Sequence, residues 1–244
     1  MVHTASAPVS IDAPLASRID AAVALLRRAV NDYGRVVYAN SLGAEAMVLT
    51  DLICTQAPEI DMFSIDTGRL PEETLALLDR LERRYQRRLP LYYPDAQAIA
   101  RYVSEHGING FYNDLGARLS CCQIRKLEPF KRAIAGYRAW VTGVRRGQSD
   151  LRASAQPMAH DQQHGLEKIS PLLDWTEGDI WTYIRAKQLP YNPLHDRGYS
   201  SIGCAPCSRA TAAGEDHRAG RWWWEHSESR ECGLHPRQRP AAVG

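Results

Sequence analysis

Short β-rich runs alternate with helical patterns along most of this chain, and that alternation restricts its fold more than any other feature. Residues 15–32 form an alanine- and leucine-rich amphipathic stretch that Gly34 stops, and RVVYAN follows as a strand. A helix is predicted around AMVLTDLICTQ, then a strand at DMFSID, then a helix opened by Pro71 and the acidic pair Glu72 and Glu73 and running to about Arg88. LPLYYP reads as a third strand and DAQAIARYVSEHG as a helix. Residues 121–135 read as one further helix, RAWVTGV as a fourth strand, and residues 171–187 as another short strand and helix. Strands that alternate with helices imply an α/β fold: a parallel, twisted sheet with helices on both faces. Such sheets bind ligands beyond the carboxyl ends of their strands.

Three loops placed there carry unusual chemistry. Ser41, Leu42, Gly43, Ala44 and Glu45 open a helix whose backbone N–H groups can cradle an anion. The loop is neither a Walker motif nor a GxGxxG fingerprint, and a plain strand-to-helix turn is the competing reading. Asp66, Thr67, Gly68 and Arg69 close the second strand with an acid, a hydroxyl and a cation suited to a ribose or an anion. The third loop, residues 142–152, holds Arg145, Arg146 and Arg152, whose planar forks match phosphate and sulfate oxygens. A solvated basic loop is its bland alternative. Three such loops in sequence favour one anionic nucleotide ligand. Thirty basic against twenty-eight acidic residues leave a net charge of +2, which argues against a dedicated nucleic-acid or membrane-surface binder. No apolar run reaches membrane-spanning length. Residues 1–17 lack the basic start and apolar centre of a secretory signal and read as a loose leader, so the cytoplasm is the expected compartment.

Six cysteines in a cytoplasmic chain are not expected to be structural disulfides. Cys54 lies in an apolar helical stretch and reads as a buried small hydrophobe. Cys204 and Cys207 form a CxxC in a loop-rich region, where a metal site is a better reading than a redox pair. A metal there needs more ligands, and the adjacent Cys121 and Cys122 are the candidates. Four thiolates suit zinc or an iron–sulfur cluster, and spacing does not decide between them; brown colour on anaerobic purification would. Cys232 is left over, on the polar stretch SRECGLHPRQRPAAVG.

With these residues in view, the sequence resembles the assimilatory adenylyl-sulfate and phosphoadenylyl-sulfate reductases over nearly its whole length after the leader. The marks are CCQIRKLEPFKRAI, VTGVRRGQSDLRA, GYSSIGCAPCSRA, GEDHRAGRWWWE and ECGLH. The resemblance implies an adenine nucleotide alpha hydrolase-like fold with a mobile C-terminal tail. It divides the chain into a leader (1–17), a nucleotide-binding α/β domain with the iron–sulfur site (18–207) and a C-terminal segment (208–244). It implies a four-iron four-sulfur (4Fe–4S) cluster on Cys121, Cys122, Cys204 and Cys207, and hence a preference for adenosine 5′-phosphosulfate over its 3′-phosphorylated form. Lys126 falls between cluster and substrate. Ser41, Gly43, Glu45, Asp66, Thr67, Gly68, Arg69, Arg145, Arg146, Arg152, Arg218, Arg221 and His235 fall on the substrate. Cys232 becomes the nucleophile that forms an S-sulfocysteine and releases AMP, with thioredoxin, here a separate protein, then freeing sulfite. Glu231 disfavours the Cys232 thiolate, while His235 and the neighbouring arginines oppose that. Self-association into a homo-oligomer is left open by the sequence. The rival readings are a phosphoadenylyl-sulfate reductase, a nucleotide-activating enzyme lacking the expected SGGxDS loop, and a metal-stabilised nucleotide-binding module without turnover.

Overall fold

The computed structural model describes residues 10–148, 152–225 and 234. Six strands make one mostly parallel sheet in the order β3-β2-β1-β4-β6-β5, where β1 is Val36–Asn40, β2 Asp61–Ile65, β3 Leu91–Tyr92, β4 Ala139–Val141, β5 Met158–Asp161 and β6 Leu166–Ile169. β1 runs parallel to β4 and β4 to β6, while β5 returns antiparallel to β6. The β5–β6 hairpin was not expected from sequence, and it adds one antiparallel strand to an otherwise parallel sheet. Its strands precede residue 171, where a strand was predicted; residues 171–174 are instead a turn. Chain order reverses between β1 and β4, which creates a topological switch point.

The chain divides into two compact units, residues 1–62, 76–89 and 136–192, and residues 63–75, 90–135 and 193–244. The first holds a continuous apolar core. Helices α1 (Ala13–Tyr33), α2 (Ala44–Gln56) and α7 (Glu177–Ala186) supply Leu26, Leu49, Ile53 and Ile184 to it, all fully buried, each contributing about 1.5–3 kcal/mol. Helix α1 starts at Ala13, two residues before the predicted Leu15. Asp12 caps it by accepting from the Leu15 N–H, and Leu15 itself is buried, so residues 13–17 belong to the fold rather than to a leader. Within α2, Asp51 is a buried carboxylate. It accepts from the Tyr85 hydroxyl at 2.8 Å and the Tyr183 hydroxyl at 2.7 Å, joining α2 to α7 and to α3 (Glu72–Tyr85). Cys54, read as buried, is half-buried beside Arg87, and burial pushes its thiol up.

In the second unit Phe63 packs edge-on to Tyr92 and against Phe130, with ring centroids 5.5 and 6.0 Å apart. Asp95 caps α4 (Ala96–His106), and Asp114 caps α5 (Leu115–Cys122) by accepting from the Ala117 N–H at 2.8 Å. The helix predicted over residues 121–135 is three pieces: the end of α5, a π-helical turn Gln123–Leu127, and α6 (Glu128–Ala133). Pro129 explains the break. It has no N–H for the carbonyl four residues back, and its ring crowds that carbonyl, so the preceding turn widens. Cys121 and Cys122 therefore sit at a helix end, immediately before the widened turn.

Candidate functional site

In the first unit, the loops after β1 and β4 flank the switch point and bond to each other. Leu42 adopts a left-handed φ of 58° although it is not glycine, and its N–H donates to Asn40 Oδ1 at 2.8 Å. Gly43, at the N-cap of α2, supplies no side-chain cap to that helix terminus, and Ser41 beside it is exposed. An anion is suited to such a terminus. Glu45, in the first turn of α2, receives Arg145 Nε at 2.9 Å and Gln148 Nε2 at 3.0 Å. The Gln148 carbonyl oxygen in turn accepts from the Arg145 N–H and from Arg152. A Cβ at Gly143 would lie 3.1 Å from Glu45 Cβ, so glycine is what lets the two loops close on one another. Arg146 pairs with Asp174 at 2.6 Å and donates to the carbonyls of Ala153 and Ala155. Two of the three arginines read as anion ligands are thus already bonded to carboxylates, and Glu45, read with them, is one of the partners. Sequence could not show this, because the pair is 100 residues apart.

The second unit gathers the four cysteines. Cys121 and Cys122 end α5; Cys204 and Cys207 bracket a single 3₁₀ turn, Ala205–Cys207. Burial pushes the Cys121 thiol up, Arg125 draws it down, and Cys204 adds to the rise. Burial raises the Cys207 thiol strongly, and Cys204, Cys122 and Cys121 all reinforce it while Arg221 opposes. The four sulfurs are therefore close enough to act on one another. Among the described residues no three His, Cys, Asp or Glu side chains converge on a single-ion site.

The loop after β2 braces this group. Asp66 Oδ1 accepts from the Gly68 N–H at 2.8 Å and Thr67 Oγ1 from the Arg69 N–H at 3.2 Å, which folds the loop on itself. The Thr67 hydroxyl lies 3.2 Å from Cys204 Sγ, and the Thr67 carbonyl accepts from buried Arg125 at 2.7 Å. The Arg69 carbonyl accepts from the Ala205 N–H at 2.7 Å. Its guanidinium donates to Ile108 O and Asn109 Oδ1. Thr67, Gly68 and Arg69, read as ribose or anion ligands, are thus engaged mainly in holding the CxxC turn and its surroundings. Tyr112 locks the same turn by donating to Pro206 O at 2.8 Å.

Arg221 is buried, donates from Nε to Cys207 O at 3.2 Å, and stacks 4.6 Å from the Trp222 ring centre. Arg118 and Arg218 lie over the same ring at 4.8 and 5.9 Å. Lys126 is half-buried in the π turn, with no ion pair or hydrogen bond among the described residues. Trp222 has φ 42°, and its indole N–H is buried without an acceptor. Four thiols, with the Thr67 hydroxyl at Cys204 and Arg125 at Cys121 as neighbouring donors, are a set that fits a metal group bound through thiolates. Sequence reasoning passed over Arg125, Arg118 and Trp222. Position was the available signal: Arg118 and Arg125 each lie within four residues of the CC pair. Cys232 and His235 lie outside the described residues.

The sheet order, with its reversal between β1 and β4, defines a doubly wound α/β architecture. That architecture is shared with a crystal structure of Candida glabrata FMN adenylyltransferase, at a TM-score of 0.59 over 96% of this chain and 83% of that one, but with only 16% identity. The match to a Candida auris phosphoadenylyl-sulfate (PAPS) reductase is stronger, at TM-score 0.67 and 25% identity over 81% of this chain and 98% of that one. An adenosine 5′-phosphosulfate reductase of Allochromatium vinosum is 53% identical over 224 residues, 92% of this chain and 88% of that protein. Residues 35–210 match the phosphoadenosine phosphosulfate reductase domain, and the chain belongs to that family.

Proposed function

We propose that this protein is a thioredoxin-dependent adenylyl-sulfate reductase that converts adenosine 5′-phosphosulfate to sulfite and AMP in sulfate assimilation. The observation that carries the reading is the 53% identity, across 92% of the chain, to a protein of that name. In the first unit, the uncapped start of α2 and the arginine loop receive the nucleotide's anionic end, with Glu45 and Gln148 holding Arg145 and Arg152 in place. Arg218, Arg221 and Lys126, all in the second unit, are the cations that the family resemblance reads as substrate contacts. Cys121, Cys122, Cys204 and Cys207 would hold a 4Fe–4S cluster, whose iron charge keeps those thiols ionised when it is bound.

Chemistry falls to Cys232. Its thiolate attacks the sulfate sulfur. An S–S bond forms as the S–O bond to the phosphate breaks, and AMP leaves with that electron pair. One thioredoxin thiolate then attacks Cys232 Sγ and releases sulfite, and the second thioredoxin thiol resolves the mixed disulfide, so the dithiol supplies both electrons. Cytoplasmic residence accords with that reductant; no described helix is long and apolar enough to cross a membrane.

The test is Cys232→Ser. The variant should keep its brown colour and bind adenosine 5′-phosphosulfate, yet make no sulfite, because a serine hydroxyl is a poor nucleophile and offers thioredoxin no sulfur. Wild-type protein given substrate alone should gain one sulfo group on the Cys232 peptide, and reduced thioredoxin should remove it. An adduct on Cys204 or Cys207 instead would make the CxxC the reactive pair.

A further inference from the structure

Arg146 is engaged by the protein's own groups, and those groups carry Arg152. Its backbone N–H donates to Leu173 O at 2.9 Å and its Nε to Asp174 Oδ1 at 2.6 Å, so the residue is docked on the turn that follows β6. From there Nη1 reaches Ala153 O at 3.1 Å and also Ala155 O. Those two carbonyls belong to a turn that Arg152 opens, closed by the Ala155 N–H donating to Arg152 O at 3.0 Å. The Arg152 side chain is held separately, by the Gln148 carbonyl oxygen. All of these residues lie in the first unit. The Arg146 and Asp174 side chains are 34% and 65% exposed, so as an ion pair they add little. What Asp174 does is aim a planar guanidinium whose other N–H groups grip a second turn.

We propose that Arg146 is a positioning residue and not a ligand of the substrate: it struts the turn after β6 against the turn at 152–155, and so fixes the backbone from which Arg152 meets the nucleotide's anion. The inference rests on the reading of the arginine loop as the anion site and deepens it. Residue type puts Arg145, Arg146 and Arg152 on an equal footing, and the bonds divide them. A lysine ammonium has the same charge, but it is a compact donor on a flexible stem. It does not address a carboxylate with one edge and two carbonyls with another, as the guanidinium fork does. The role is one of shape, which charge alone does not replace. Asp174 separates the two roles by sign. An arginine that bound the nucleotide would first have to give up Asp174, so removing that carboxylate would tighten binding. A strut loses its aim when Asp174 goes, so binding weakens.

The experiment measures adenosine 5′-phosphosulfate affinity by isothermal titration of anaerobically purified, full-length protein. It compares wild type with Arg146→Ala, Arg146→Lys, Arg152→Ala, the Arg146→Ala/Arg152→Ala double variant and Asp174→Ala. Arg146→Ala should bind about tenfold more weakly, and Arg146→Lys should recover none of that loss. The double variant should be no weaker than Arg152→Ala alone, because Arg146 acts through Arg152. Asp174→Ala removes an exposed side chain, so it guards against loss of folding in the arginine variants; it should bind more weakly than wild type. Recovery in Arg146→Lys to within about twofold of wild type would make Arg146 a charge contact and overturn the proposal. So would full addition of the two arginine losses, tighter binding by Asp174→Ala, or unchanged affinity in Arg146→Ala. Wild-type protein that binds no adenosine 5′-phosphosulfate overturns the reading of the site itself, and this inference with it.

Discussion

Arg221 keeps its position because residue 203 has no side chain. A Cβ there would sit 2.1 Å from Arg221 Nη2 and 2.4 Å from Cζ, far inside contact distance. The guanidinium has little room to retreat, since Trp222 stacks on it and Cys207 O accepts from it. Gly203→Ala should therefore swing the cation away while Cys204, the next residue, stays in its turn. The expected outcome is substrate affinity about 10- to 100-fold weaker, the value of one charge-assisted contact, with colour retained. Isothermal titration of Gly203→Ala, Arg221→Ala and the double variant checks it. If the two losses add in full, the glycine acts by some other route. Arg145 shows the opposite arrangement: its partner Glu45 leaves it neutralised and fixed in place, so its contribution is geometry more than net charge.

Among the elements, the β5–β6 hairpin carries a half-buried carboxylate of its own. Asp161 Oδ2 accepts from Trp140 Nε1 at 3.0 Å and lies 2.8 Å from His164 Nδ1, so the hairpin is fastened to β4. Burial alone would raise the Asp161 carboxyl, but His164 and Trp140 bond to its charged form and hold it below its ordinary value of 3.8. As pH falls, the unfolded chain takes up the proton first. The stabilisation is thus complete above that ordinary value and is lost as pH drops through the folded one. Asp161→Asn should cost about 1–2 kcal/mol at pH 7 and progressively less towards pH 3, read as the shift in urea midpoint. An equal shift at both pH values would show that the charge is irrelevant. The π turn is the other element with consequences. Pro129 forces it, and Arg125, which reaches Thr67 O, and Lys126 both project from it.

For the whole molecule, the question is which nucleotide it prefers. Arg145 and Arg146 are each bonded to a carboxylate, Glu45 and Asp174. An added 3′-phosphate would have to compete with those acids or go unpaired. Adenosine 5′-phosphosulfate should accordingly be favoured by at least about tenfold in kcat/KM, an energy of ~1.4 kcal/mol. Measuring both substrates under one set of conditions decides it, and a preference for the 3′-phosphorylated form would reverse the assignment.

Much of this protein was legible in its sequence because the signals act over a few residues. The stop at Gly34 and the β-rich runs at 36–40, 61–65 and 139–141 need only near neighbours to take effect. The CC and CxxC spacings likewise singled out four cysteines, all of which fall in the second unit. The β5–β6 strands were missed because MAHD and LEKI are short and polar, and they become strands only by pairing with each other and with β4. Which charges face one another was decided by tertiary structure alone. Arg145 meets Glu45, Arg146 meets Asp174, and Arg118 meets Glu225 across 100, 28 and 107 residues. Residue type says that an arginine can bind an anion. Whether that anion is a substrate's or the protein's own depends on which carboxylate the folded backbone brings within 3 Å, and packing far along the chain sets that distance.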